Sequence, residues 1–211
     1  MSSNRNKPVL TCPAGIAVYP SLNKPDTKFD NAGKYKVKVR IPKDDCGAFL
    51  KELKKLYNDN YEAQCEKEGK ELKKAPVPWT IVEEDGKKTG EIMFNFAMKA
   101  RGTGRDGSTW ENRPKIFGPD ASLLANDALP NIGGGTKMKV NHMVDGWYSA
   151  AIGAGISLRI RGVQIIELVE WGGGSSASDF GFEAEGEAIE TKVTTSTDDD
   201  DMFEDTSDAD F

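Results

Sequence analysis

Apolar and polar residues alternate in several short stretches of the chain, a pattern that predicts β-strands with one buried face. In residues 35–41 (YKVKVRI) every second residue is apolar, and the residues between them are Lys36, Lys38 and Arg40. Residues 79–101 predict a hairpin with Asp85-Gly86 at its turn. Its second arm alternates in the same way and ends in Lys99 and Arg101.

Two later segments also have a period of two. In residues 136–153 Lys137 and Lys139 alternate with apolar residues, and Asp145-Gly146 predicts a turn between two strands. In residues 155–171 Arg159 and Arg161 alternate with apolar residues, and Gly162 predicts a bulge or a bend.

One segment has helical spacing instead. Between residues 44 and 74 the apolar residues recur every three or four positions, which predicts an amphipathic helix packed on the strands. Asp44 and Asp45 lie at its predicted N-terminus, where acidic groups suit the helix dipole. The sequence APVPW, residues 75–79, is expected to end it.

Residues 102–120 are polar and have no regular period, and a turn-rich stretch follows up to residue 135. Loops of this length are usually functional or mobile. The pattern therefore predicts a mainly β fold with one inserted helix, either a small barrel or a sheet covered by a helix. The order of the strands stays open at this point.

Charge divides the chain into two parts. Residues 172–211 contain 13 acids and one base, a net charge of −12, within a total of −6. Residues 1–171 therefore carry +6. We expect a folded basic domain at 1–171, followed at 172–211 by a flexible linker and a disordered acidic tail that ends in Phe211.

The remaining composition limits the function classes. Three cysteines without metal-ligand spacing, Cys12, Cys46 and Cys65, argue against a disulfide framework or a zinc site and favour a reducing compartment. No segment approaches the roughly 20 apolar residues that span a bilayer, and the first residues lack a signal-peptide pattern. We expect a soluble intracellular protein with no membrane partner, in which the single histidine, His142, is structural.

Cations occupy the polar positions of four predicted strands. If these strands are neighbours, their charges form one groove for a polyanion; otherwise they simply solvate an exposed sheet face. The candidate residues are Lys36, Lys38 and Arg40; Lys99 and Arg101; Lys137 and Lys139; and Arg159 and Arg161.

Single-stranded nucleic acid is the polyanion that the pattern favours. The predicted helix alternates lysine with acids, unlike a helix that reads duplex DNA, whereas a cationic groove with aromatic platforms holds single strands. Trp110 is a candidate platform, in a polar loop with Arg105, Arg113 and Lys115. Tyr148 is a second candidate, because Trp147 and Tyr148 are adjacent and one of them must face outward from a strand. Trp79, Phe94 and Phe96 are expected in the core.

The acidic tail has a predicted role in this scheme. Tethered to a basic groove, it would compete with nucleic acid. A bound strand would then release the tail, and Phe211 would serve as an apolar anchor for a protein partner. The tail residues concerned are Asp198, Asp199, Asp200, Asp201, Glu204, Asp205, Asp208, Asp210 and Phe211.

Four features together resemble the bacteriophage replication-type single-stranded DNA-binding proteins. They are the helix after KYKVKVRIP, the strand KKTGEIMFNFAMKAR, the closing strand GISLRIRGVQIIEL and the acidic tail capped by Phe211. The resemblance implies an OB-fold-like antiparallel barrel with an inserted helix that binds single-stranded DNA in replication and recombination and assists annealing, in the cytoplasm of an infected bacterium. It also implies that the tail contacts replication proteins (polymerase, helicase-primase) and mediates homodimer formation.

Two rival interpretations remain. Gly102, Gly104 and Gly107 spell G-x-G-x-x-G after a predicted strand, but no helical pattern follows them, as a dinucleotide site would require. With no catalytic grouping in the sequence, we expect neither an enzyme nor a cofactor. The second alternative is an acidic-tailed chaperone or assembly factor for basic partners, in which the tail rather than the strands would bind.

Overall fold

The computed structural model describes residues 7–104 and 106–170. The chain divides into two units, Met1–Gly174 and Ser175–Phe211, and the described residues all belong to the first. The predicted linker and acidic tail lie outside them. In chain order the elements are β1 (Val9–Thr11), β2 (Gly15–Asp26), β3 (Lys34–Pro42), α1 (Lys43–Glu68), β4 (Trp79–Glu84), β5 (Lys87–Lys99), β6 (Arg101–Thr103), β7 (Thr109–Glu111), β8 (Lys115–Phe117), β9 (Lys137–Ser149) and β10 (Gly153–Glu167).

Five long strands close into a barrel in the order β2, β3, β5, β10, β9 and back to β2. The closing contact places Gly15 opposite Met138. All neighbours in the barrel are antiparallel except β5 and β10, which pair in parallel where Phe96 meets Leu158. A five-stranded barrel of this kind is the arrangement of the OB-fold. The predicted fold class, mainly β with one inserted helix and an OB-fold-like barrel, is confirmed.

The predicted alternation places apolar side chains inside the barrel and basic ones outside. Lys36 and Lys38 are exposed while their neighbours on β3 are buried. The buried residues on β3, β5 and β10 include Tyr35, Val37, Val39, Ile41, Ile92, Phe94, Phe96, Met98, Ile156, Leu158 and Ile160. The β4–β5 turn falls at Asp85-Gly86, as predicted.

Helix α1 connects β3 to the segment before β4 and packs its apolar face on the barrel. Phe49, Leu53 and Tyr57 are buried in the same core as the strands. The helix ends at Glu68, earlier than the APVPW sequence that was expected to end it. Gly69 takes a left-handed conformation with φ 64°, and the Lys70 N–H donates to the Cys65 carbonyl at 3.3 Å. This glycine cap ends the helix before the prolines do.

The predicted turn at Asp145-Gly146 is wrong. β9 runs unbroken through both residues, and Gly146 lies opposite Ile156. A Cβ at position 146 would overlap the side chain of Asn60 on α1, so this glycine permits close packing of the helix on the strand. The chain turns after Ser149 instead, where the Ile152 N–H donates to the Ser149 carbonyl at 3.2 Å.

The polar region after β5 contains short strands that periodicity did not reveal. β6 and β7 form a hairpin in which Gly102 lies opposite Trp110, and the Gly104 N–H donates to the Ser108 carbonyl at 2.7 Å. The G-x-G-x-x-G glycines therefore belong to a hairpin rather than to the start of a helix, which contradicts a dinucleotide site. β8 pairs in parallel with β10, where Lys115 lies opposite Gly162.

The β9–β10 ladder shifts register between Ile160 and Gly162, which confirms the predicted bulge. His142 is fully buried between the rings of Phe49 and Phe96, at centroid distances of 5.6 and 4.9 Å, as expected of a structural histidine. Burial lowers the pKa of His142 to about 4, although the nearby Val140 carbonyl acts to raise it.

All three cysteines are free thiols, and burial raises the pKa of Cys12 to about 11. No helix in the described part of the chain combines the length and the apolar character needed to cross a membrane.

Candidate nucleic-acid interface

An open groove of about 670 Å³ lies outside strands β8, β9 and β10. Four of the predicted DNA-binding residues line it: Lys115, Lys139, Arg159 and Arg161. They face outward because Ile116, Val140, Leu158 and Ile160, their neighbours in sequence, are buried in the core. Three strands that are separate in the sequence thus bring their cations to one surface.

A second groove of about 470 Å³ adjoins the first. Lys34, Lys99, Trp110 and Arg159 contribute to its lining. Arg159 and Met98 line both grooves, so the two are continuous at these residues. We call the two together the basic groove, defined by Lys34, Lys99, Trp110, Lys115, Lys139, Arg159 and Arg161.

A row of paired residues crosses the outer face of the barrel at this junction. Lys36 lies opposite Ala97, Ala97 opposite Arg159, and Arg159 opposite Met143. Lys36 therefore lies on β3, next to the groove residue Ala97 of β5, and does not itself line the basic groove. It forms an ion pair with Asp26, and its hydrogen bond to that carboxylate lowers the pKa of Asp26.

Trp110 supplies the aromatic surface of the groove. Its side chain is half-buried on β7. A Cβ added at Gly102 would overlap the indole ring, so the ring lies directly over the backbone of β6. The glycine fixes the position of the indole without covering its outer part. A half-exposed indole between cations is suited to base stacking.

The charge of the basic groove is positive. Asp145 is the acid in its lining, and Lys7 pairs with Asp145 at 2.7 Å. Among residues 7–104 and 106–170, none of the groove lysines and arginines takes part in an ion pair. Their charges are therefore available for phosphates.

Besides Lys36, three more predicted cations outside the basic groove have partners in the structure. Arg40 donates to Glu91 and Glu84, and its pKa is raised chiefly by the hydrogen bond to Glu91. Lys137 pairs with Glu167 at 2.8 Å. Arg113 donates to the Asn23 carbonyl at 3.0 Å. None of the three lines the basic groove.

The remaining candidates lie beside the groove or away from it. Lys38 is exposed on β3 but does not line the groove, and Arg101 is exposed on β6 opposite Glu111. Tyr148 lies near the far end of β9, five residues from Met143, or about 17 Å along the strand. Arg105 and the tail residues 198–211 lie outside the described part of the chain.

Lys34 and Phe117 are groove residues that the sequence-based prediction did not include. Lys34 continues the alternation of Lys36 and Lys38 by one more step, so that pattern could have identified it. Phe117 follows buried Ile116 on β8 and lines the groove next to Gly162. A strand of three residues gives too short an alternation to identify Phe117.

Comparison with known proteins identifies the family of this chain. A family model described as single-stranded DNA-binding protein of bacteriophage T7 matches residues 14–168. The single-stranded DNA-binding protein of Enterobacteria phage T3 is 29% identical over an alignment of 184 residues, and the match covers 80% of this chain and 79% of that protein. Its counterpart from Escherichia phage T7 is 28% identical over an alignment of 207 residues, and the match covers 88% of this chain and 89% of that protein.

Solved structures show the same fold. The crystal structure of gp2.5, a single-stranded DNA-binding protein encoded by bacteriophage T7, matches with a TM-score of 0.68 at 26% identity and covers 88% of this chain and 100% of that one. The single-stranded DNA-binding protein of bacteriophage Enc34, in complex with single-stranded DNA, matches with a TM-score of 0.57 at 19% identity over 78% and 89% of the two chains. Because the family model spans most of the chain, the protein belongs to the family of the bacteriophage T7 single-stranded DNA-binding protein.

Proposed function

We propose that the protein binds single-stranded DNA along the basic groove, with little sequence preference. The observation that carries this proposal is the position of Arg159, which lines both grooves and joins the cations of β8 and β9 to Lys99 and Trp110. Lysine and arginine side chains would neutralise phosphates, and the Trp110 indole would stack on a base. Neither interaction distinguishes one base sequence from another.

The relatives support the proposal because they are named single-stranded DNA-binding proteins. The structure of the Enc34 protein was solved in complex with single-stranded DNA. Binding would serve phage DNA replication and recombination in the cytoplasm of the infected host, where the protein protects or anneals strands. This function needs binding surfaces alone, without a catalytic group or a cofactor.

The acidic segment would regulate the groove. Residues 172–211 carry a net charge of −12, which complements the basic groove. The segment would occupy the groove until DNA displaces it. Its residues 198–211 would then contact replication proteins such as a polymerase or a helicase-primase, or a second copy in a homodimer.

The test is a titration with oligo-dT followed by tryptophan fluorescence, on the full chain and on a variant that lacks residues 172–211. We expect saturable binding that is equal or tighter without the segment. An acidic-tailed chaperone for basic partners would instead lose its main activity with that deletion. Failure of both proteins to bind oligo-dT at low salt would contradict the proposal.

A further inference from the structure

A second pocket lies between the N-terminal half of α1 and the β4–β5 hairpin. Its volume is about 440 Å³. We call it the docking pocket; its floor is formed by Leu50, Trp79, Ile81 and Ile92, and its rim by Lys43, Lys54, Lys88, Gly90 and Glu91. Ile81 is 55% exposed, so the described residues leave this part of the apolar floor uncovered.

The rim of the docking pocket carries a positive charge. Within the described residues Lys43, Lys54 and Lys88 take part in no ion pair. Glu91 accepts a hydrogen bond from Arg40 Nε at 3.0 Å, so its charge is already compensated. An apolar floor inside a lysine rim fits a segment that presents a bulky apolar side chain between carboxylates.

Helix α1 leaves its side of the docking pocket open. Lys43, Leu50 and Lys54 lie at spacings of seven and four residues, which places them on one face of the helix. Gly47 belongs to the same face, and a Cβ added there would meet no atom within 4 Å. Glycine is a poor helix former, and at this position it leaves room for a chain to approach the helix backbone.

The sequence itself contains a segment of the required chemistry. Residues 198–211 (DDDDMFEDTSDADF) hold eight acids and no base, together with Met202, Phe203 and Phe211. We infer that the docking pocket binds this segment of a second copy of the chain. Phe203 or Phe211 would enter the apolar floor, and the flanking carboxylates would meet the lysines of the rim.

The choice of a second copy rests on the proposed function. DNA would displace the acidic segment from its own groove, and copies bound side by side on one strand would present that segment to a neighbour at high local concentration. Groove residue Met98 and pocket residue Ile92 are six residues apart on β5, or about 20 Å. DNA and the segment can therefore be bound at the same time, and the contact would make binding to long strands cooperative.

The experiment compares affinity per copy for poly-dT with affinity for an oligo-dT that holds one copy, using the full chain. We expect the wild-type protein to bind poly-dT about tenfold more tightly per copy, because the linked contact adds avidity. Lys54→Glu/Lys88→Glu should abolish this advantage, since both lysines are exposed and the fold should tolerate the change. Phe203→Ser/Phe211→Ser should abolish it without any change of charge.

Lys51→Glu/Lys87→Glu is the matched control. It makes the same charge change on the same elements, at exposed lysines that do not line the docking pocket, and should keep the advantage. An advantage that is absent from the wild type, or equally reduced in the control and pocket variants, would overturn the inference. Loss of oligo-dT binding in every protein would contradict the proposed function instead.

Cross-linking identifies the source of the segment. Nitrogen-14 and nitrogen-15 forms of the full chain are mixed on poly-dT and treated with a carbodiimide, which joins lysines to carboxylates in direct contact. Cross-links from Lys54 or Lys88 to residues 198–211 that join the two isotopes support the inference. Cross-links confined to one isotope would show that each copy binds its own segment, and would overturn the choice of a second copy.

Discussion

Arg159 of β10 lies opposite Ala97 of β5, in the parallel pairing that joins the two halves of the barrel. Both residues line the second part of the basic groove, and Arg159 also lines the first. Met98, the next residue on β5, lines both parts as well. The continuity of the basic groove therefore depends on Arg159 and Met98, which the pairing of Ala97 with Arg159 brings side by side.

Reversal of the charge of Arg159 should weaken DNA binding and its dependence on salt. Log affinity for single strands falls with log salt at a slope of about −0.7 per neutralised phosphate. Arg159→Glu should make this slope shallower by about 0.7 or more. Titration with oligo-dT at several salt concentrations measures the change. An unaltered slope would show that Arg159 does not contact a DNA phosphate.

Lys38→Glu is the corresponding variant outside the groove. The sequence alone predicts that both substitutions reduce the salt slope, whereas Lys38 does not line the groove in the structure. We expect Lys38→Glu to leave the slope closer to that of the wild type than Arg159→Glu does. Equal effects would show that the DNA path continues along β3.

Replacement of Trp110 should weaken binding without changing the salt slope. Stacking of a base on an aromatic side chain is worth about 1–3 kcal/mol. We therefore expect Trp110→Ala to lose roughly 5- to 150-fold in affinity, with most of the affinity retained in Trp110→Phe. The same oligo-dT titrations measure both quantities, and wild-type affinity in Trp110→Ala would exclude stacking at this residue.

Gly102 should be required for the position of the Trp110 ring. A Cβ at residue 102 would overlap the indole, so Gly102→Ala should displace the ring and reduce affinity. Because both changes act on one contact, adding Gly102→Ala to Trp110→Ala should cause little further loss. A double-mutant cycle tests this, and fully additive losses would show that Gly102 acts independently of the ring.

The stability of the protein should fall in mild acid because of His142. Burial lowers its folded-state pKa to about 4, whereas the unfolded chain has the ordinary value of about 6.5. The unfolded state therefore binds the proton first, and the contribution of neutral His142 is complete above about pH 6.5 and lost as pH falls toward 4. The full loss corresponds to about 3 kcal/mol.

Urea unfolding at pH 7 and pH 5 measures the larger part of this loss, about 2 kcal/mol. The free energy of unfolding should decrease more in the wild type than in His142→Leu, which cannot bind a proton at this position. Other groups titrate equally in both proteins and cancel in the comparison. Identical decreases would show that His142 has an ordinary pKa in the folded chain.

Local sequence patterns predicted the strands that carry most of the groove cations. The alternation in β3, β5 and β10 is long enough to assign each side chain to a face. Gly146 was misleading because the close approach of Asn60, which lies far away in the sequence, determines its role. Three-residue strands such as β7 and β8 contain too few residues for a period to be recognised.

The assembly of the groove could not be predicted from these patterns. It depends on the parallel pairing of β5 with β10, whose paired residues Ala97 and Arg159 are distant in sequence. Alternation also cannot show which outward cations have an acidic neighbour. Arg40 and Lys137 fit the basic pattern as well as Arg159 does, but they face Glu91 and Glu167 in the structure.

Chemical footprinting of lysines tests the basic groove most directly. The full chain and the variant that lacks residues 172–211, in which the acidic segment cannot shield the groove, are acetylated with and without saturating oligo-dT. The modification of each lysine is compared by mass spectrometry. DNA should protect Lys34, Lys99, Lys115 and Lys139, which line the groove, and leave Lys51 and Lys87 reactive. Equal protection of all six lysines, or protection confined to Lys51 and Lys87, would contradict the groove as the DNA-binding site.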